Sequence, residues 1–249
     1  MIYDKTARDK ALDELAKRGP APTHLATARL TGSNKNVLEL GCATGYVSQL
    51  MRQNNCTVTG IELDPEAAAE ASKHCQRVIV GDLNETSLLN SLDQTYDVIV
   101  AGDILEHLID PETILDTLHD HLKPGGYILV SMPNIAFWRM RLDLLMGRFE
   151  YQEFGLLDKT HLRFYTVKTF YALARKTGYD VQHTHINDAG FPLSGLLSKL
   201  PVFGKWVRTA ALKLAYVFPN VFAFHTIYQL APSRRTSEED THVAGTQNR

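Results

Sequence analysis

Short runs of apolar, β-branched residues alternate along the first half of the chain with segments of helical periodicity. The runs predict strands over residues 36–40, 58–62, 77–80, 96–101 and 127–132. Helices are predicted over about 5–18, after Gly45 to about 52, from Pro65 onward and over 111–121. Strands that alternate with helices form right-handed crossovers and a mostly parallel sheet. Because the strands are apolar almost throughout, both faces of that sheet should be covered.

The alternation stops after Pro133, and the second half of the chain has a different pattern. A helix over 167–177, capped by Thr166 and ended by Gly178, precedes predicted strands over 180–186 and 221–230. We therefore predict a Rossmann-like, doubly wound α/β domain over 36–231, with a mostly parallel seven-stranded sheet and an antiparallel last strand. Residues 134–164 and 190–220 are irregular insertions in it. An N-terminal helical region, 1–35, precedes the domain, and a disordered tail, 232–249, follows it.

Composition and charge narrow the class of protein. The 249 residues suffice for one large domain, and a net charge of −2 gives no support to a nucleic-acid partner. The three cysteines form no CxxC pair, and their odd number argues against a disulfide framework, so we expect a reducing, cytoplasmic compartment. The charged N-terminus lacks the apolar core of a secretory signal. Prolines and polar residues interrupt the uncharged stretch 214–233, which we interpret as a helix end, a turn and a buried strand rather than a membrane span.

The loop after the first predicted strand has the composition of a nucleotide-binding loop. Gly41 and Gly45 let backbone N–H groups approach a ligand at a helix N-terminus. Glu62 ends the second strand about 20 residues further on, where a carboxylate suits a ribose diol. The spacing is GxxxG rather than the dinucleotide GxGxxG, and no P-loop sequence follows. Glu39, just before the loop, favours a cationic ligand such as the sulfonium of S-adenosylmethionine over a pyrophosphate.

The segment Glu39-Leu-Gly-Cys-Ala-Thr-Gly45 resembles motif I of the class I S-adenosylmethionine-dependent methyltransferases, E/DxGxGxG, with Ala43 in place of the usual middle glycine. Four further segments resemble later motifs of that family, in the same order: residues 61–64, 81–83, 96–107 and 122–127. The resemblance covers about residues 36–133 and is specific as an ordered set. It implies S-adenosylmethionine as the cofactor. The residues that it assigns to cofactor binding are Glu39, Gly41, Cys42, Ala43, Gly45, Glu62, Leu63, Asp82, Leu83 and Gly102.

The resemblance also implies individual roles. The two loop glycines would shape the backbone under the methionine moiety, and Glu62 would hold the ribose hydroxyls. Asp82 would accept a hydrogen bond from the adenine amino group, with Leu83 beside the ring. Gly102 would lie beside the methyl donor. Asp64, in contrast, is predicted to cap the helix that follows it.

Candidate catalytic residues follow the fourth predicted strand, whose carboxyl end borders the ligand crevice. In Asp103-Ile-Leu-Glu106-His107, helical spacing would place the three polar side chains on one face. That face could hold a general base for the methyl acceptor, with His107 as the candidate, or a divalent metal; we favour the base and predict no metal. The alternatives are that Asp103 caps a helix and that His107 stacks on the cofactor or packs in the core. A similar Glu-His pair occurs in the O-methyltransferases of ubiquinone biosynthesis, which the chain resembles.

A second candidate group lies in the segment Leu157-Asp-Lys-Thr-His161-Leu-Arg163-Phe-Tyr-Thr166, which resembles a segment found in methyltransferases of surface-polysaccharide and cell-wall gene clusters. His161 is predicted to be catalytic, and Asp158 and Arg163 to bind the acceptor. Arg163 could hold a carboxylate or phosphate through two hydrogen bonds. The alternative is that Arg163 and His161 tie the insertion to the sheet.

The insertion 196–217 contains four basic side chains and no acidic one, interleaved with large apolar residues. It is either a lid over the acceptor pocket, which we favour, or a segment that contacts a membrane surface. The sequence thus predicts O-methylation of a small-molecule, sugar or lipid-linked acceptor. One rival is a nicotinamide-dependent oxidoreductase, which Glu39 and the missing middle glycine disfavour. The other is a non-catalytic module that binds the cofactor.

Overall fold

The computed structural model of the chain describes residues 21–191 and 204–233. Its strands are β1 (Asn36–Leu40), β2 (Thr57–Glu62), β3 (Arg77–Val80), β4 (Tyr96–Gly102), β5 (Leu122–Pro133), β6 (Tyr179–Ala189) and β7 (Ala223–Pro232). They form a seven-stranded sheet in the order β3-β2-β1-β4-β5-β7-β6. Strands β1 to β5 pair in parallel, whereas β7 runs antiparallel to both β5 and β6. This arrangement confirms the predicted Rossmann-like fold with an antiparallel last strand.

The helices of the described part of the chain alternate with these strands. They are α1 (Pro22–Thr31), α2 (Tyr46–Gln53), α3 (Pro65–Ala71), α4 (Thr86–Asn90), α5 (Pro111–Thr117), α6 (Trp138–Leu145), α7 (Val167–Lys176), α8 (Gly204–Val217) and α9 (Pro219–Phe222), with 3₁₀ turns at Leu105–His107 and Leu118–His121. The carboxylate of Asp64 accepts a hydrogen bond from the backbone N of Glu66 at 2.8 Å and so caps α3. The hydroxyl of Thr166 caps α7 at the backbone N of Thr169, 3.0 Å away. Both predicted caps are confirmed.

Both faces of the sheet are buried, as the apolar strands predict. Val37 and Leu38 in β1 are each fully buried, although consecutive side chains of a strand point to opposite faces. Val37 packs in one apolar cluster with Val58, and Leu38 packs in another with Phe170. Full burial of one such side chain stabilises the fold by about 1.5–3 kcal/mol. The central strands therefore form a rigid base for the loops at the carboxyl edge of the sheet.

Several predicted boundaries are wrong. The insertions predicted as irregular contain helices, α6 in the first and α8 and α9 in the second. Strand β5 begins at Leu122, so residues 123–126 belong to it rather than to a turn, and Pro232 ends β7 rather than beginning the tail. The predicted helix 5–18 and tail residues 234–249 lie outside the described residues, as do residues 192–203 of the second insertion.

The segment after β4 also differs from the prediction. Asp103 has a left-handed backbone conformation, with a φ of +49°, and residues 105–107 form a 3₁₀ turn rather than an α-helix. The prediction that Asp103, Glu106 and His107 share one face of a helix is therefore wrong. The cause is the left-handed backbone of Asp103, which interrupts helical geometry between Asp103 and Glu106.

Candidate active site

The loop after β1 depends on glycine. Gly41 and Gly45 have left-handed backbone conformations, with φ values of +67° and +78°. A Cβ on Gly45 would lie 2.8 Å from the Cα of Ala71 in α3, so this close approach excludes any side chain. Ala43 also has a left-handed backbone, with a φ of +48°. The backbone at position 43 therefore favours glycine, and the alanine methyl group is held there at a conformational cost.

Glu62, at the end of β2, fixes the shape of this loop. Its Oε2 accepts a hydrogen bond from the backbone N of Ala43 at 2.9 Å, and its Oε1 accepts one from the backbone N of Asp64 at 3.0 Å. Glu62 also faces a small cavity at the carboxyl edge of the sheet, which is lined by Gly41, Ile61, Glu62, Leu63, Gly81, Leu83 and Ile104. We call this the donor cavity. Four predicted cofactor-binding residues therefore meet there: Gly41, Glu62, Leu63 and Leu83.

Asp82 does not line the donor cavity but supports its wall. Its Oδ1 accepts hydrogen bonds from the backbone N and the Nδ2 of Asn84, at 2.9 and 2.8 Å. Asn84 Oδ1 in turn accepts a hydrogen bond from the backbone N of Ile109 at 2.9 Å. The corner after β3 is thereby tied to the segment after β4, and both segments contribute residues that line the cavity, Gly81 and Leu83 from the first and Ile104 from the second.

Glu39 and Cys42 lie beneath the loop rather than on the cavity wall. Glu39 is 5% exposed, and its carboxyl group accepts a hydrogen bond from the hydroxyl of Ser48 in α2. Burial raises the pKa of Glu39 to about 8, although the bond from Ser48 opposes that rise. The carboxyl group is therefore largely protonated at neutral pH, and it would not attract a cationic ligand by a full charge. Cys42 is buried and has a free thiol, and the same is true of Cys56 and Cys75.

Asp103 follows Gly102 at the end of β4 and pairs with a histidine from the last strand. Its Oδ1 accepts hydrogen bonds from His225 Nε2 at 2.7 Å and from Ser131 Oγ at 3.2 Å. Burial lowers the pKa of His225, but the charge and hydrogen bond of Asp103 outweigh it and raise the pKa overall. His225 is not among the residues predicted for the site. The signal that the sequence offers is a polar residue within an otherwise apolar predicted strand.

Glu106, His107 and His161 form a cluster, although Glu106 and His161 are 55 residues apart in the sequence. Glu106 is 2% exposed, and neither carboxylate oxygen has a hydrogen-bond partner among the described residues. The two imidazole rings lie 4.7 Å apart in an edge-to-face arrangement. Burial lowers the pKa of both histidines. The turn after β4 and the first insertion therefore bring one carboxyl group and two neutral imidazoles together.

The first insertion is fastened to this turn by its backbone. The carbonyl oxygen of Glu106 accepts hydrogen bonds from the backbone N of Leu162 at 2.8 Å and of Arg163 at 3.0 Å. The guanidinium of Arg163 donates to the carbonyl oxygen of Ile109 at 2.7 Å. Arg163 thus ties the insertion to the segment after β4, the alternative that the sequence analysis left open. It also lines a second cavity, with Glu106, Pro133, Ile135, Leu156, His161, Phe164 and Tyr165. We call this the acceptor cavity.

Asp158 acts on the cluster through Thr160. Its Oδ1 accepts hydrogen bonds from the Thr160 hydroxyl at 2.6 Å and from the Thr160 backbone N at 2.8 Å. The same hydroxyl lies 3.0 Å from Nδ1 of His107, and the Thr160 carbonyl oxygen lies 3.2 Å from that nitrogen. Asp158 therefore orients Thr160, and Thr160 orients the ring of His107. The structure places Asp158 behind the cluster rather than on the acceptor cavity.

Helix α8 represents the described part of the basic insertion. It buries small side chains, Ala211 and Ala215, whereas Trp206, Tyr216 and Val217 are 76%, 59% and 67% exposed. Of the large apolar side chains in this part, Leu212 packs against Ile186 and Ala223, whereas Trp206 points largely into solvent, so the choice between a lid and a membrane contact stays open. No helix in the described ranges is long and apolar enough to cross a membrane.

A glycine loop at the carboxyl edge of a Rossmann-like sheet, with an acidic residue at the end of β2, defines a nucleotide-binding α/β protein. A model of the methyltransferase domain matches residues 5–184. The chain therefore belongs to the methyltransferase domain family, which confirms the resemblance to class I S-adenosylmethionine-dependent methyltransferases.

Comparison with individual proteins agrees with this assignment. The chain is 27% identical over 136 residues to the ubiquinone biosynthesis O-methyltransferase of Pseudomonas entomophila strain L48. That match covers 53% of the chain and 57% of the relative, so the chain spans little more than half the length of the curated relatives that it matches. Two solved structures share the fold, each with a TM-score of 0.60. One is a SAM-dependent methyltransferase from Archaeoglobus fulgidus, 19% identical, covering 90% of this chain and 99% of that one. The other is the CcbJ methyltransferase from Streptomyces caelestis, 15% identical, covering 93% and 100%.

Proposed function

We propose that the chain is an S-adenosylmethionine-dependent O-methyltransferase that acts on a hydroxyl group of a small-molecule, sugar or lipid-linked acceptor. One observation carries the proposal. The short segment after β4 contributes to both cavities: Ile104 lines the donor cavity, and Glu106, two residues later, lines the acceptor cavity. Alignment of donor and acceptor is the main requirement of an in-line displacement, and one short segment that lines both cavities favours that alignment.

The lining of the donor cavity supports the proposed cofactor. Its apolar walls, which include Ile61, Leu83 and Ile104, suit an adenine ring, and the carboxylate of Glu62 suits a ribose diol. When bound, S-adenosylmethionine supplies a methyl group on a positively charged sulfur. In this proposal Asp82 accepts a hydrogen bond from the adenine amino group and Gly102 lies beside the methyl donor. The remaining predicted cofactor residues shape or support the loop under the methionine moiety: Glu39, Cys42, Ala43 and Gly45.

The acceptor side is assigned to Asp103, Glu106, His107 and His161. As the hydroxyl oxygen bonds to the methyl carbon, the bond from that carbon to sulfur breaks and the hydroxyl proton passes to His107, the candidate base. Arg163 lines the same cavity, where it would bind an acidic group of the acceptor. The similarity to ubiquinone biosynthesis O-methyltransferases supports oxygen as the acceptor atom.

Helix α8 supports an acceptor with an apolar part. The exposed side chains of Trp206, Tyr216 and Val217 favour contact with an apolar partner, such as the lipid of a lipid-linked acceptor at a membrane surface. The three free cysteines support a reducing, cytoplasmic compartment.

Calorimetric titration of the full chain with S-adenosylmethionine, S-adenosylhomocysteine and NAD, in parallel, tests the proposal. We expect saturable binding of the two sulfur nucleotides and none of NAD. Binding of NAD instead would support the oxidoreductase. Binding of the sulfur nucleotides without methyl transfer to any hydroxyl acceptor would support the non-catalytic module.

A further inference from the structure

The carboxyl group of Glu106 is buried without compensation from the described residues. Its side chain is 2% exposed, and both Oε1 and Oε2 lack a hydrogen-bond partner there. A buried polar group without a partner is costly, and most such groups in folded proteins are paired. Glu106 is also held firmly in place, because its own carbonyl oxygen accepts two backbone hydrogen bonds from the first insertion. A partner that is not among the described residues is therefore expected at its carboxyl group.

The two histidines beside Glu106 are oriented as ligands. Nδ1 of His107 lies 3.2 Å from the carbonyl oxygen of Thr160, and Nδ1 of His161 lies 3.3 Å from the carbonyl oxygen of Leu156. A carbonyl oxygen only accepts hydrogen bonds, so each Nδ1 carries the proton. Each ring consequently has its lone pair on Nε2. A metal-binding histidine is held in this way, with one nitrogen hydrogen-bonded to a carbonyl or carboxylate and the other directed to the ion.

The distances within the cluster fit one ion. One potential ligand atom from each of Glu106, His107 and His161 lies within 4.8 Å of the other two. An ion placed between three such atoms needs a distance of about 2.0–2.2 Å to each nitrogen or oxygen, and small side-chain rotations that draw the three atoms closer together would provide it. Behind His107, the Thr160 hydroxyl donates to Asp158 Oδ1 at 2.6 Å, which leaves its oxygen to accept from His107 Nδ1. The cluster therefore has an outer shell as well as three ligands.

We propose that Glu106, His107 and His161 bind one divalent transition-metal ion, such as Zn²⁺ or Mn²⁺, through the Glu106 carboxylate and the Nε2 atoms of both histidines. Two imidazoles select these ions over Mg²⁺ and Ca²⁺, which prefer oxygen ligands. Three protein ligands leave coordination positions open. Glu106 and His161 line the acceptor cavity, so the open positions face it.

The consequence for catalysis rests on the proposed function. A hydroxyl group of the acceptor occupies an open position, and the ion lowers the pKa of that hydroxyl as it does for bound water. His107, as a ligand, is then not the free base: the hydroxyl proton would pass to water while the oxygen bonds to the methyl carbon and the bond from that carbon to sulfur breaks. The acceptor is accordingly a compound that offers oxygen ligands, such as a phenol, a diol or a sugar.

Metal binding can be measured without cofactor or acceptor. The full chain, freed of metal with a chelator, is titrated with Co²⁺, and the visible absorption of the bound ion and the heat of binding are recorded. We expect one saturable site, which excess Mg²⁺ does not displace and Zn²⁺ does. Thr160→Val should weaken binding by about 10–100-fold, the usual effect of losing an outer-shell partner, and Glu106→Gln or His161→Ala by more. His183→Ala, which removes an exposed histidine in β6, should bind Co²⁺ as the wild type does.

The controls separate this proposal from the proposed function. Thermal unfolding shows whether each variant folds; if Glu106→Gln does not, His161→Ala decides, because its side chain is only partly buried. Equal Co²⁺ affinity in the wild type and in the folded ligand variants would overturn the metal site, as would the absence of saturable binding. Binding of S-adenosylmethionine is measured independently, so its loss would overturn the proposed function and leave the metal result standing.

Discussion

Nε2 of His225 donates a hydrogen bond to Oδ1 of Asp103 at 2.7 Å and so joins the last strand of the sheet to the turn after β4. The backbone of Asp103 has a φ of +49°, in the left-handed region that residues other than glycine seldom adopt. Such a conformation persists where surrounding contacts fix the backbone. The pair therefore stabilises the turn that leads into Ile104 of the donor cavity and Glu106 of the acceptor cavity. A strand far along the chain thus contributes to the geometry of the site.

His225→Ala should lower the free energy of unfolding by about 1 kcal/mol near pH 6. A hydrogen bond between charged groups contributes about 1.5–3 kcal/mol, and this one is discounted because the Asp103 side chain is 42% exposed. The pKa of His225 in the folded state lies above the ordinary value of 6.5. Its contribution is therefore complete below pH 6.5 and is lost as the pH rises through the folded-state pKa. Urea unfolding of the two proteins at several pH values should give a difference that shrinks above pH 6.5, and a constant difference would contradict the ion pair.

Glu39→Gln tests whether the buried carboxyl group is neutral. The pKa of Glu39 is raised from 4.5 to about 8, so the folded state keeps a proton that the unfolded state loses above pH 4.5. The wild type should therefore lose stability as the pH rises from 4.5 to 8. Glutamine keeps the shape and an oxygen that accepts from Ser48, so the variant should be about as stable as the wild type at pH 4.5 and more stable at pH 8. Unfolding curves at the two pH values give the comparison, and parallel pH profiles would show that Glu39 is ionised in the folded state.

Ala43→Gly should stabilise the protein slightly or leave its stability unchanged. The left-handed conformation costs a residue with a Cβ about 1–2 kcal/mol, and glycine removes that cost. Glycine also gives the unfolded chain more freedom, which lowers stability by about 0.4–1 kcal/mol and offsets part of the gain. Ala26→Gly, in the right-handed backbone of α1, is the matched control and should lose about 1 kcal/mol. Thermal unfolding measures both. A loss at position 43 as large as at position 26 would mean that the alanine is not strained.

Glu62→Ala should weaken S-adenosylmethionine binding and also lower stability by about 1–2 kcal/mol. The variant loses the predicted ribose contact, and it leaves the backbone N atoms of Ala43 and Asp64 without their acceptor. Glu70→Ala, which removes an exposed carboxylate paired with Lys73, should change neither property. Calorimetry and thermal unfolding of the same samples separate the two effects. Unchanged affinity in the folded variant would remove Glu62 from the cofactor site.

Local patterns in the sequence predict the sheet well and the donor loop almost completely. Strands β1 to β4 lie within one residue of their predicted ends because their apolar runs are short and bounded by turn residues. Asp64 and Thr166 cap their helices through contacts within a few residues, which sequence spacing captures. Glu62 and Leu83 meet because the carboxyl ends of neighbouring parallel strands share one edge of the sheet.

Contacts between distant segments account for what the sequence does not predict. The pairing of Asp103 with His225 depends on how β7 inserts between β5 and β6, and no local pattern encodes that register. The left-handed turn at Asp103 also breaks the helical spacing from which a shared face was inferred. Glu39 illustrates a third cause, since a carboxylate expected to face a ligand is instead buried against Ser48 of α2. Its direction depends on packing between β1 and α2 rather than on its position before the loop.

His107→Ala should reduce turnover by about 10²–10⁴-fold while leaving the affinity for S-adenosylmethionine within about twofold of the wild type. Turnover should fall because the His107 ring belongs to the cluster beside the acceptor cavity. Cofactor affinity should not change because His107 is not among the residues that line the donor cavity. A single-turnover methyl-transfer assay on a hydroxyl acceptor, with calorimetry of cofactor binding, makes the comparison, and His183→Ala serves as the exposed-histidine control. Thr160→Val should show a smaller loss in the same direction, because Thr160 orients the His107 ring and is not itself a member of the cluster. Full turnover in the His107 variant would remove this residue from the chemistry, whether as a base or as a metal ligand.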